Sequence, residues 1–83
     1  MSFNLERAAL RGKLADAQER ARRLTMRIEG HCTAIRQGLN TALTPVIDLE
    51  VPQLAEQMSE LTAAWGELQA IRMEILRLER ELH

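Results

Sequence analysis

From Leu54 to Leu82 the chain carries an apolar ladder: Leu54, Leu61, Ala64, Leu68, Ile71, Ile75, Leu78 and Leu82. With Gln57 as its single polar member, the steps alternate between three and four residues. A helix repeats every 3.6 residues, so such a ladder is one stripe on one helix, sustained for four heptads. It is the pattern of a helix that packs along its whole length against another. The first half of the chain supplies a matching ladder, Leu10, Leu14, Ala17, Ala21, Leu24 and Ile28. After Ile28 the rhythm slips to Cys32, Ile35, Leu39, Ala42 and Val46. Two consecutive steps of four at Leu24, Ile28 and Cys32 form a stutter, which locally unwinds a left-handed supercoil.

The expected fold is therefore all-α, a long antiparallel hairpin of coiled-coil type with helices over about 3–43 and 52–82. Ser2 or Asn4 is placed to cap the first helix, with Glu6 near its positive end. Gly30 lies in the stutter and also allows a break there; one continuous helix is the reading adopted. Thr44-Pro45 is expected to end the first helix, because proline disfavours the α conformation in the residue before it. Pro52 suits the first turn of the second, where its missing N–H is harmless. At 1.5 Å per residue the helices span about 60 Å and about 45 Å. The apolar connection Val46, Ile47, Leu49 and Val51 is expected to fold back as a plug over the hairpin end.

A short connection makes the helices antiparallel. Centring the turn on Asp48 sets Ile35 by Leu61, Cys32 by Ala64, Ile28 by Leu68, Ala21 by Ile75 and Leu14 by Leu82. These are the expected hairpin seam. On the flanks the same register sets Arg36 by Glu60, Arg22 by Glu74 and Asp16 by Arg80. Charge agrees with pairing of the halves. Residues 1–40 hold eight basic and four acidic groups, while residues 41–83 hold three basic and eight acidic ones. Gly30 falls opposite Gly66, beside Trp65, which suggests room for the indole or a close approach of the helices.

Eighty-three residues bound the chain to one domain, 1–83, with little room for a core. One cysteine, Cys32, excludes an intrachain disulfide and fits a reducing compartment, so the expected localisation is cytoplasmic. No apolar run approaches the roughly 18 residues of a membrane span. His31-Cys32 is the sole adjacent pair of metal-ligand types, and the second histidine is His83. Zinc takes three or four ligands, so neither metal nor cofactor is expected. Catalysis through Cys32 would need a base and an orienting group in a cleft, which a two-helix hairpin hardly supplies; the chain reads as no enzyme. Trp65-Gly66 lies within a helical stretch and lacks the middle residue of the Trp-x-Gly turn that names a group of small secreted hairpins. Trp65 reads instead as an anchor.

Two features exceed what a hairpin uses. The first helix should overhang the second by about a dozen residues carrying Phe3, Leu5 and Leu10. Met58, Trp65, Met73 and Leu76 lie off the seam, so the second helix is apolar over more than one stripe. Unburied apolar surface marks an interface. Phe3, Leu5, Leu10, Met58 and Trp65 are thus the expected contacts to partner chains, with self-association into a dimer of hairpins, a four-helix bundle, the simplest outcome. The expected role is a non-enzymatic interaction module of assembly, scaffold, adaptor or chaperone-like kind. The alternative is a small nucleic-acid-associated regulator using Arg20, Arg22, Arg23 and Arg27, the densest basic cluster. Arginine also pairs with carboxylate in fork-like fashion, and the acidic second half offers that partner.

Overall fold

The structure is a computed structural model that describes residues 2–83, with side chains from residue 4 onward. Two helices make up the architecture, α1 (Ser2–Gly38) and α2 (Val51–Leu82), joined by a connection with a single 3-10 turn at Val46–Asp48. They pack antiparallel side by side into a rod of 67 × 16 × 15 Å. No helix among the described residues is long and apolar enough to cross a membrane.

The two ladders face each other. Ala17 and Leu24 of α1 and Ala64, Ile71 and Leu78 of α2 are buried, and Leu78 is the largest side chain wholly withdrawn from solvent. Leu10, Leu14, Ala21, Ile28, Leu68 and Ile75 are half-buried against this cluster. Ile35, Leu61 and Leu82 are half-buried as well. Alanines at 17 and 64 beside the larger Leu24, Ile71 and Leu78 let the stripes interdigitate. α1 runs through Gly30 without a break. Asn4 lies inside α1 rather than at its cap.

α1 ends at Gly38, five residues before the expected end. The helix thus stops well ahead of Pro45. A Cβ built on Gly38 would overlap the Leu54 side chain, so the absent side chain admits Leu54 at the mouth of the hairpin. The chain then turns at Asn40, whose carbonyl accepts from Leu43 and Thr44 N–H and whose Oδ1 accepts from Ala42 N–H. Such asparagine turns compete with helix propagation. The expected plug does not form. Leu43, Val46 and Val51 are exposed, Ile47 is 93% exposed, and Leu49 alone of the plug residues is half-buried. They form an apolar tip on the rod.

The earlier turn shifts the register. Glu74 pairs with Arg20 at 3.3 Å, where Arg22 was expected. Glu60 lies by His31 instead of Arg36. At the far end Arg7 donates a 2.9 Å hydrogen bond to the Leu82 carbonyl. A guanidinium there satisfies an orphan carbonyl and meets the negative end of the α2 dipole. The overhang of α1 is accordingly shorter than a dozen residues.

Candidate interaction surfaces

Each flank of the α1–α2 seam has its own chemistry. On one flank the acidic row Glu60, Glu67 and Glu74, spaced by sevens, lies along α1. Glu74 meets Arg20. Glu67 and Arg27 share two surface clefts. Glu60 Oε2 is 3.7 Å from His31 Nε2. Within α1, Glu19 accepts from Arg22 at 2.7 Å and lies 3.7 Å from Arg23. Three of the four arginines of the basic cluster, Arg20, Arg22 and Arg23, therefore lie within ion-pair distance of a carboxylate. Exposed pairs of this kind are each worth well under about 1 kcal/mol.

His31 and Gln57 meet across the seam. His31 Nδ1 is 2.6 Å from Gln57 Oε1, a carbonyl oxygen that only accepts, so Nδ1 donates. The His31 side chain is 15% exposed. The polar member of the α2 ladder thus has a polar partner from α1 instead of a void. Cys32 is half-buried and free of disulfide bonding. Among the described residues no group of three histidine, cysteine or acidic side chains is placed to hold a metal ion.

The residues expected to touch partner chains divide. Leu10 is not on an overhang; it is half-buried against the hairpin core, because α2 reaches back as far as Arg7. Leu5 is exposed. The Phe3 side chain lies outside the described residues. Met58 and Trp65 are 53% and 56% exposed, and Met73 and Leu76 are exposed on the same side of α2. Gly30 does not make room for the indole, and the helices do not approach closely at Gly30 or Gly66: apart from chain neighbours, nothing lies near the position a Cβ would take on either.

The spacing of the exposed α2 residues repeats the logic of the seam. Val51, Ala55, Met58, Thr62, Trp65, Arg72 and Leu76, with the half-buried Gln69 between Trp65 and Arg72, step by four and three, a second stripe about a third of a turn round the helix from the first. Between residues 55 and 71 the charged groups are Glu56, Glu60 and Glu67, and all lie off this stripe, two of them on the row along α1. The outer face of α2 is consequently free of charge for about 24 Å. Thr62 lies on this stretch with its hydroxyl donating back to the Met58 carbonyl at 2.8 Å. On α1, the exposed Met26 has Arg22, Arg23 and Glu29 at helical spacing around it. A pattern with period 3.5 in the sequence signals this second stripe, but off-seam apolar residues disclose it only once the seam residues are set aside.

No family model matches the chain, and comparison with curated proteins and with solved structures gives no match.

Proposed function

We propose that this chain is a non-enzymatic interaction module of assembly, scaffold, adaptor or chaperone-like kind, working by helix-face burial and self-association as a dimer of hairpins. The observation that carries the reading is that α2 leaves Met58, Trp65, Met73 and Leu76 exposed, off the stripe that packs on α1. Solvated faces of monomeric helices are ordinarily polar. A buried core of five side chains is thin for 83 residues, and partner burial supplements such cores. A four-helix bundle follows from pairing two hairpins. The single cysteine suits a cytoplasmic setting. The carboxylates beside Arg20, Arg22 and Arg23 support protein contact over nucleic-acid contact.

Molar mass by light scattering across concentration, at low and at high salt, tests this reading. The expected mass is that of two chains, holding as salt rises. A monomer at all concentrations would refute self-association. Binding to a DNA or RNA fragment with an affinity that falls steeply with salt would instead favour the nucleic-acid role.

A further inference from the structure

We infer that the His31–Gln57 pair sets the register of the hairpin: it holds α2 at one axial position along α1, among several that the apolar ladders accept. The seam repeats every seven residues, so apolar side chains meet apolar partners again when one helix slides by a heptad, about 10 Å. Seven ladder steps lead from His31 back to Arg7, and seven lead from Gln57 on to Leu82. Both ends of that count are contacts. His31 Nδ1 donates to Gln57 Oε1 at 2.6 Å, and Arg7 donates to the Leu82 carbonyl at 2.9 Å. The two ladders therefore run in step between these contacts.

A slide of α2 by one heptad moves Ala21 from the step of Leu68 to that of Ile75, and Leu14 from the step of Ile75 to that of Leu82. Apolar still joins apolar. His31, however, passes to the step of Ala64, and Gln57 passes towards the end of α1. A slide the other way sets Gln57 against Leu24. In either case a ring N–H and a side-chain amide lose each other inside the seam. Among the described residues no buried side-chain nitrogen or oxygen lacks a partner as the chain stands. Leaving such a pair unmade disfavours the slipped registers about tenfold or more. One polar layer in an apolar seam is a known way to fix register. The connection does not fix it by length, since Leu39, Ala42 and Val46 continue the α1 ladder past its last turn and stand exposed. The approach of Leu54 to Gly38 agrees with the register by shape. Register in turn decides where the exposed Met58 and Trp65 stand along α1, and so the surface that a partner meets.

Distances between two spin labels on the whole chain test this. Cys32→Ser with Glu29→Cys and Glu79→Cys places the labels at exposed positions on the two helices, well apart along the rod. Labelled chains are diluted with unlabelled ones, so that only distances within a chain are read. The parent should give one distance. His31→Leu with Gln57→Leu should add a population displaced by up to about 10 Å, with helix content unchanged by circular dichroism. His31→Gln with Gln57→His restores a polar pair with its members exchanged and should return the single distance. A leucine pair that keeps the parent's single distance overturns the inference and leaves the register to Gly38 and Leu54. An exchanged pair that spreads as the leucine pair does overturns it too. The readout is the same whether or not hairpins associate, so this inference and the self-association proposed above fail separately.

Discussion

At the scale of single residues, the glycines divide by what stands over them. Gly30 is in the middle of α1 with nothing near its would-be Cβ, so it keeps the full entropic cost of glycine in a helix. Gly30→Ala should raise stability by about 1 kcal/mol, read as a higher midpoint in thermal unfolding. Gly38→Val should lower it, because Leu54 must leave its place. The His31–Gln57 bond lends itself to a mutant cycle. Gln57→Leu alone leaves a half-buried ring N–H unpaired and should cost about 1–3 kcal/mol. His31→Leu with Gln57→Leu should cost less than Gln57→Leu, since both polar groups go together. Urea unfolding of the parent, both single variants and the double variant gives the coupling directly. Additive costs would mean that the bond contributes nothing.

At the scale of elements, the two helices and their inward stripes were legible from spacing, because burial against one neighbour imposes a period that solvent does not. Leu24 and Ile71 read inward from spacing and are buried. Where the first helix stops was not legible. Local chemistry pointed to Pro45, but the turn held by Asn40 comes first, and the close approach of Leu54 to Gly38 beside it joins residues distant in sequence. The register error followed, moving the partner of Glu74 from Arg22 to Arg20. The plug failed as well: Leu49 alone turns inward, while Val46 and Ile47 stay in solvent. The contrast between stripes is measurable. Leu78→Ala, at the deepest point of the seam, should cost about 2–5 kcal/mol. Met26→Ala should stay within about 0.5 kcal/mol. Chemical denaturation of both variants checks the difference.

For the whole molecule, shape matters as much as contact. The radius of gyration is 18.9 Å. A globular chain of 83 residues would have about 12 Å, and 18.9 Å belongs to a globular chain of about 290 residues. The proposed side-by-side pairing of hairpins would add mass with little added length. Small-angle scattering should therefore give twice the forward intensity per chain with a maximum dimension close to that of one hairpin. Joining through the apolar tip of Val46 and Ile47 would instead nearly double the long axis. The rod has a consequence for sizing by hydrodynamics: elution calibrated on globular standards overstates the mass of a thin particle. A single hairpin would elute ahead of its true mass and mimic a small oligomer, so an early peak by itself counts axial ratio as well as copies.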